Sequence, residues 1–190
     1  MAAMAACLLA SEAFGQIRRS IERPLAPVSQ ASLSEISGAA GDVTHEIEHG
    51  MRVVRFGELG DRPCMVILAA WTGQSSRDRA IIDAECSNRI NTSQYWEVVV
   101  PEGARIVGME ACFNRRSGRL KGLRLYHDGG NFGGVVSELQ PNCRGNRGRW
   151  GDRAECPEST RATGLRAHFR QEPRGQTNPI VGLQLICRPV

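Results

Sequence analysis

The sequence is poor in aromatic residues and in lysine, and it has no long apolar run. Phenylalanine, tryptophan and tyrosine make up 5% of its 190 residues, and Lys121 is the only lysine among 24 basic residues. No apolar stretch reaches the roughly 20 residues that a membrane-spanning helix needs, so we expect no transmembrane segment. The formal net charge of +4 is mild and does not argue for an acidic partner.

Motifs for common catalytic and cofactor chemistries are also missing. None of the seven cysteines forms a Cys-x-x-Cys pair, so we expect neither a zinc site nor a thioredoxin-type redox site. We find no phosphate-cradling glycine loop and no serine–histidine–aspartate arrangement. The sequence therefore predicts no metal and no cofactor. A carboxylate pair assembled from distant strands, as in a glycosidase cleft, stays open as an alternative.

One segment, His45-Glu46-Ile47-Glu48-His49, has the His-Glu-x-x-His spacing of zinc proteases. That chemistry needs a helix, in which both imidazoles share one face about one turn apart. The flanking alternation of apolar and polar residues favours a strand instead, where these positions lie roughly 13 Å apart and cannot share one metal. We interpret the histidines as two residues of one strand face.

The densest basic stretch, residues 144–149, contains three arginines and is followed by Trp150. Arginine beside tryptophan can hold phosphates and stack bases. A second tryptophan, Trp96, occupies a similar place earlier in the chain without basic neighbours. We therefore expect Trp150 to pack in the core, and we expect no nucleic-acid partner.

The N-terminal segment resembles an export signal. Residues 1–15 are apolar and end on small residues, which predicts a signal peptide and a secreted or periplasmic protein. The alternatives are an amphipathic first helix and a lipoprotein with Cys7 acylated. Residues 16–42 contain Pro24 and Pro27 and no sustained apolar period, so we expect a flexible arm, and residues 43–190 form the domain. An arm whose apolar residues, Leu33 and Ile36 among them, dock on the domain stays open.

The cysteines beyond Cys7 number six, and export would place them where disulfides persist. Six cysteines allow fifteen pairings, among which the sequence cannot select. Our expectation is sequential pairing: Cys64 with Cys86, Cys112 with Cys143, and Cys156 with Cys187.

The most informative feature of the sequence is an internal repeat. Residues 101–113 (PEGARIVGMEACF) return as residues 157–169 (PESTRATGLRAHF), and each copy is followed by a Gly-Leu-x-Leu run, at 122–125 and 182–185. Such self-similarity indicates a fold built from one repeated unit. A weaker third copy would use Cys64 to Trp71 as its outgoing strand and residues 82–86 as its returning strand.

Short apolar runs bounded by turn residues, such as 64–68 and 96–100, predict strands, and no window has a long helical stripe. The sequence therefore predicts an all-β, disulfide-stabilised domain. The recurring positions should form the core. A binding site should lie where the copies differ, at Asn114 to Arg119 and at Gln171 to Pro179.

The last repeat resembles the vitelline membrane outer layer protein I family in its Trp150-Gly151, Cys156-Pro157, Gly164-Leu165 and closing Cys187 strand. The strand pair from Gly108 to Tyr126 resembles that of jacalin-type lectins. Both resemblances imply a β-prism, in which three antiparallel sheets surround a pseudo-threefold axis. The families' ligand loops are not preserved, because Gln176-Thr177-Asn178 replaces an acidic pair and no Gly-x-x-x-Asp loop is present near the C-terminus.

These expectations favour a non-catalytic module that binds carbohydrate or cell-envelope glycan. The candidate ligand-binding residues lie in polar–aromatic loops: Tyr126, Asp128, Asn131 and Phe132. Two alternatives stay open, a polysaccharide-acting enzyme with a carboxylate pair at the strand ends and a structural envelope protein without a small ligand. The oligomeric state is not predicted.

Overall fold

The structure is a computed structural model that describes residues 31–59, 62–69, 79–82, 95–128, 134–136, 143, 147–174 and 176–190. Within these residues the regular secondary structure consists of strands, and no helix is long and apolar enough to cross a membrane. The strands are β1 (Ser32–Leu33), β2 (Ser37–Gly38), β3 (Val43–Glu48), β4 (Val53–Leu59), β5 (Arg62–Ala69), β6 (Arg79–Ile82), β7 (Tyr95–Val99), β8 (Ile106–Asn114), β9 (Leu120–His127), β10 (Gly134–Val136), β11 (Gly148–Trp150), β12 (Ala154–Glu155), β13 (Thr160–Phe169) and β14 (Ile180–Pro189).

The strands form three antiparallel sheets, as the sequence predicts. Their orders are β1-β14-β13-β3, with β2 also on β14; β10-β9-β8-β11, with β12 also on β8; and β6-β5-β4-β7. Each sheet has a hairpin at its centre: β13–β14, β8–β9 and β4–β5. The two copies of the repeated phrase supply two of these central hairpins, so the repeat marks equivalent strands of equivalent sheets.

Neighbouring units exchange strands. The strand that precedes each central hairpin pairs with the first strand of a different hairpin: β3 with β13, β7 with β4, and β11 and β12 with β8. Each sheet therefore contains a central hairpin and at least one strand from the segment that precedes a different hairpin. Because of this exchange, residues far apart in sequence lie side by side.

The strand assignment predicted for the weak third copy is wrong. Its central hairpin is β4–β5, so the strand that contains Cys64 is the returning strand, equivalent to β9 and β14, and not the outgoing one. The outgoing strand begins Val53-Val54-Arg55-Phe56 and lacks the Pro-Glu phrase. Comparison of the repeats in the sequence therefore does not identify it. Residues 83–86 lie outside the described residues.

The described part of the predicted N-terminal arm docks on the domain. From Ser32 onward it belongs to a sheet, because β1 and β2 both pair with β14. Ser34 adds two bonds to Leu185, one through its backbone N–H to the carbonyl (3.0 Å) and one through its Oγ, which accepts from the Leu185 N–H (2.8 Å). In the other sheets a strand that follows the hairpin in the chain covers this edge. In this sheet the N-terminal strands β1 and β2 cover the corresponding edge of β14.

The core lies between the inner faces of the three sheets and forms one cluster. The leucines of the Gly-Leu-x-Leu runs are core residues, as the sequence predicts, and the structure buries all four fully: Leu123, Leu125, Leu183 and Leu185. The prediction that Trp150 packs in the core is wrong. This residue is half-buried and lies outside the core cluster, with the Arg124 guanidinium 3.9 Å from the centre of its ring. The tryptophan shared by the repeats is therefore not a core residue at this position.

The two disulfides that the structure describes in full are the pairs expected from sequential order: Cys112–Cys143 and Cys156–Cys187. Cys64 is also disulfide-bonded, and its expected partner Cys86 lies outside the described residues. Both complete pairs close loops with a sequence separation of 31. Constraining loops of this length stabilises the folded state by roughly 3–4 kcal/mol per bridge in the chain-entropy model.

Candidate functional site

Two loops in which the repeats differ meet at one end of the molecule. The turn between β8 and β9 contains Ser117, whose carbonyl accepts a hydrogen bond from Arg170 Nη1 at 2.9 Å. Arg170 begins the loop between β13 and β14 and is also ion-paired with Glu172 at 2.7 Å. The loops at 114–119 and 171–179, where the sequence predicts binding, are therefore neighbours.

The β8–β9 turn is held by its own side chain–backbone bonds. Asn114 Oδ1 accepts from the backbone N–H groups of Arg116 (2.9 Å) and Ser117 (3.0 Å). Gly118 has a φ of 67°, a left-handed conformation that glycine adopts at little cost. This turn fixes the backbone and leaves Arg115 and Arg116 exposed to solvent.

Beside this turn lies a depression of about 290 Å³, which we call the Trp150 depression. It is lined by Gly38, Ala39, Phe113, Asn114, Arg115, Gly118, Arg149, Trp150, Gly151, Asp152 and Val181. Phe113 is nearly buried, with 8% of its surface exposed, and Trp150 is half-buried. Gly38 has a φ of 112°, and a Cβ there would overlap the Phe113 ring, so only glycine allows β2 to approach this closely.

Three polar side chains that line the Trp150 depression have no bonding partner among the described residues. Arg115, Arg149 and Asp152 are exposed, and their side chains make no hydrogen bond or ion pair with another described residue. The depression thus combines an aromatic surface with free donors and a free carboxylate. Sequence reasoning identified the turn at 114–119 but missed Trp150 and Asp152, because it expected that tryptophan in the core.

Tyr126, a residue of the predicted site, belongs to a ladder of stacked and ion-paired side chains on the outer face of the β8–β9 sheet. The Arg153 guanidinium lies 3.8 Å from the centre of the Tyr126 ring and covers it. Burial, and then a hydrogen bond with Glu110, raise the pKa of the Tyr126 hydroxyl. Glu110 is in turn ion-paired with Arg124 at 3.2 Å, which stacks on Trp150.

Asp128 lies at the end of β9, away from the Trp150 depression, and stabilises a turn. Its Oδ1 accepts from the backbone N–H of Arg105 at 2.8 Å, and its own N–H donates to the Arg105 carbonyl at 3.0 Å. Asn131 and Phe132 lie outside the described residues. The predicted ligand site at these four residues stays a prediction, in which Tyr126 and Asp128 already have structural partners.

The His-Glu-x-x-His segment is a strand, as the sequence predicts. On β3 the side chains alternate between half-buried and exposed, with His45 on the half-buried face; His49 follows the end of the strand and is also half-buried. The His45 ring meets the Phe169 ring edge-on, with centroids 5.5 Å apart. In the part of the chain that the structure describes, no group of three or more histidine, cysteine, aspartate or glutamate side chains could hold a metal ion.

Seven glutamates among the described residues are ion-paired with arginines. The pairs are Arg52–Glu102, Arg55–Glu97, Arg124–Glu110, Arg153–Glu155, Arg166–Glu46, Arg170–Glu172 and Arg188–Glu48. Hydrogen bonds from Arg188 and Thr163 lower the pKa of Glu48 from 4.5 to about 2. These carboxylates are ion-paired with arginines, whereas a glycosidase needs a carboxylic acid that donates a proton to the leaving group.

Comparison with solved structures identifies the fold as a jacalin-like β-prism. The Calsepa lectin in complex with a bisected glycan is 8% identical, with a TM-score of 0.55 over 85% of this chain and 99% of that one. The agglutinin of Calystegia sepium is 10% identical, with a TM-score of 0.53 over 86% and 99%. The mannose-binding lectin from Champedak is 8% identical, with a TM-score of 0.50 over 84% and 98%.

The likeness is one of structure and not of sequence. No protein-family model matches the chain, and no curated protein matches it either. At identities this low the comparisons establish the fold, while a site has to be argued from the residues of this chain.

Proposed function

We propose that this protein is a non-catalytic carbohydrate-binding module and that the Trp150 depression is its binding site. The observation that carries the proposal is that a partly exposed tryptophan lies beside polar side chains that bond to no described residue: Arg115, Arg149 and Asp152. Sugars present both apolar C–H faces and hydroxyl groups, so a shallow site that binds them needs an aromatic surface and a few polar groups that fix orientation.

Each part of the depression has a role in this proposal. The exposed part of the Trp150 ring packs against the C–H face of a pyranose, while Arg124 on the ring holds its orientation. The Asp152 carboxylate accepts hydrogen bonds from sugar hydroxyls, and the two arginines donate to hydroxyl or ring oxygens. A volume of about 290 Å³ accommodates one or two sugar rings and suits the end of a chain.

The fold supports this proposal without deciding it. Structures that share the fold include lectins whose glycan complexes are known, such as the Calsepa lectin with a bisected glycan. A β-prism presents its loops at the ends of rigid sheets, and binding residues concentrate on loops positioned by a rigid scaffold.

We further propose that the protein works outside the cytoplasm, either secreted or periplasmic, and that its partners are cell-envelope or extracellular glycans. The disulfides support this location, because such bonds persist in oxidising compartments and are rare in the cytosol. The test is fractionation of the producing cell together with N-terminal sequencing of the product. A protein found in the cytoplasm with residues 1–15 still attached would contradict the proposal.

The binding site is tested by a glycan array followed by titration of the strongest hit. Asp152→Asn keeps the shape of the depression and removes the charge, and we expect it to weaken binding about tenfold or more, since hydrogen bonds to charged groups are worth roughly 1.5–3 kcal/mol. Glu158→Gln is the matched control, because Glu158 is exposed and makes no contact with the depression. Equal affinities for these two variants, or an array without hits at millimolar ligand, would refute the site.

A further inference from the structure

Three arginines occupy equivalent positions in the three units of the fold. In the repeated phrase, Arg105 and Arg161 stand at the same place, each just before or at the start of the first strand of a central hairpin. The first unit lacks the phrase, so its equivalent residue has to be found from strand register.

The register of the exchanged strands identifies that residue as Arg52. Glu97, Glu155 and Glu48 on the exchanged strands face Arg55, Gly108 and Gly164 on the central hairpins. Three residues before these hairpin positions stand Arg52, Arg105 and Arg161. The pseudo-threefold arrangement therefore brings one arginine from each unit to the same end of the molecule.

All three arginines line one cavity of about 470 Å³ at the end opposite the Trp150 depression. We call it the three-arginine cavity. Its wall includes the segment between β3 and β4, the segment between β7 and β8, and the start of β13. It is larger than the Trp150 depression, and it is open to solvent at the exposed Arg105 and Arg161.

The charges in this cavity leave an excess of positive charge. Of its two glutamates, Glu48 is already bound to Arg188 and to Thr163 Oγ1. Glu102 is mostly exposed and reaches only Arg52, at 3.4 Å. The side chains of Arg105 and Arg161 make no hydrogen bond or ion pair with any described residue.

Arg52 adds a donor that the protein does not satisfy. Its Nε is buried and has no hydrogen-bond acceptor among the described residues. An unsatisfied buried donor costs free energy, so such groups call for a physical explanation. Three guanidinium groups around one cavity, two of them without partners, supply the planar donor geometry that matches oxyanions.

We propose that the three-arginine cavity is an oxyanion-binding site that takes a carboxylate or sulfate group, either as a free ion or as a substituent of a saccharide. It lies at the other end of the molecule from the Trp150 depression and binds a different chemistry. The two proposals therefore stand or fall separately.

The experiment is a titration of the ¹⁵N-labelled protein followed by NMR, at constant ionic strength so that screening of charges does not mimic binding. The probes are sodium sulfate, glucuronate, and glucose as the neutral counterpart of glucuronate. We expect saturable shifts of the Gly50 and Gly103 amides, which line the cavity, with either anion. Gly118 and Gly151, which line the Trp150 depression, report on the other site in the same spectra.

Variants test whether the arginines are responsible. Arg105→Gln with Arg161→Gln should weaken anion binding about tenfold or more, and the lysine versions should keep part of it. The control is Arg116→Gln with Arg147→Gln, which removes the same charge from exposed residues outside both cavities. Thermal unfolding of each variant confirms that it is folded.

Each outcome decides the proposal. Binding of sulfate alone shows a site for the free ion, and binding of glucuronate alone shows a site for an acidic sugar; either supports it. Shifts that glucose produces equally, that persist in the Arg105–Arg161 variant, or that are absent with both anions overturn it. Shifts of Gly118 and Gly151 with neutral glycans bear on the Trp150 depression alone.

Discussion

At the scale of single residues, glycines decide how closely the strands approach. Gly38 and Gly103 both have φ in the left-handed region, at 112° and 76°, where a side chain costs about 1–2 kcal/mol. They differ in their surroundings. A Cβ at Gly38 would overlap the Phe113 ring and the Val181 carbonyl, whereas nothing lies within 4 Å of one at Gly103.

This difference predicts unequal effects of alanine at the two glycines. Gly103→Ala should lower the free energy of unfolding by about 1–2 kcal/mol, from backbone strain alone. Gly38→Ala should cost at least about 1 kcal/mol more, because Phe113 and β2 must move apart. Urea unfolding measures both values. Equal losses would show that the close approach of β2 to Phe113 does not contribute.

Another residue-scale effect is the ionisation of Glu48. Its pKa is lowered from 4.5 to about 2, first by the hydrogen bond from Arg188 and then by that from Thr163. The folded state favours the ionised form of Glu48 more than the unfolded chain does. The resulting stabilisation of the fold is therefore complete above about pH 4.5 and is lost as the pH falls towards 2.

We therefore expect the unfolding temperature of the wild-type protein to fall more steeply between pH 4.5 and 2 than that of Glu48→Gln. Thermal unfolding followed by circular dichroism across this range makes the comparison. Parallel curves would show that the Glu48–Arg188 pair does not contribute to the acid sensitivity of the fold.

At the scale of elements, the short strands β1 and β2 join the N-terminal segment to the domain. Ser37 is fully buried, and its Oγ accepts from the Ala111 N–H on β8 at 2.8 Å, which links two sheets. Ser32 sits in the equally short β1, but its Oγ lies 3.5 Å from the Cys187 carbonyl, at the limit of a hydrogen bond.

The two serines form a matched pair of substitutions. Ser37→Ala leaves a buried N–H without its acceptor and should destabilise the protein by about 1–3 kcal/mol, whereas Ser32→Ala should change its stability by less than about 0.5 kcal/mol. Chemical denaturation of both variants measures the difference. Similar values for the two would mean that β2 is held by its pairing with β14 and not by the serine.

At the scale of the whole molecule, the disulfides tie late segments of the chain to the sheets. Cys112–Cys143 anchors a residue of the β10–β11 connection to β8, and Cys156–Cys187 joins the end of β12 to β14. Their sequence separations are equal, so the chain-entropy model assigns them equal stabilisation.

Removing either pair should therefore cost about the same, roughly 3–4 kcal/mol for Cys112→Ala with Cys143→Ala or for Cys156→Ala with Cys187→Ala. Guanidinium unfolding of both double variants tests this, together with a non-reducing peptide map of the wild-type protein. Free thiols at these positions in the oxidised wild-type protein would contradict the pairing.

The residues that recur in the repeats occupy two kinds of position in the folded molecule, in the core and at the surface. Leu123, Leu125, Leu183 and Leu185 are core residues, as their alternation predicts. The arginine of the repeated phrase is at the surface, and its two copies, Arg105 and Arg161, line one cavity together with Arg52. The expectation that recurring positions form only the core therefore holds for the leucines and is wrong for this arginine, because a symmetric fold brings its surface positions together as well.

The sequence by itself determined the all-β class, the repeated hairpins and the strand character of residues 43–48. Each follows from local alternation or from similarity between segments, which the chain carries without being folded. The tertiary structure alone decided that residues 32–38 close the edge of β14, that Trp150 stays outside the core, and that Arg52 joins Arg105 and Arg161. These outcomes depend on contacts between segments far apart in the chain, and the register of such strands leaves no local pattern in the sequence.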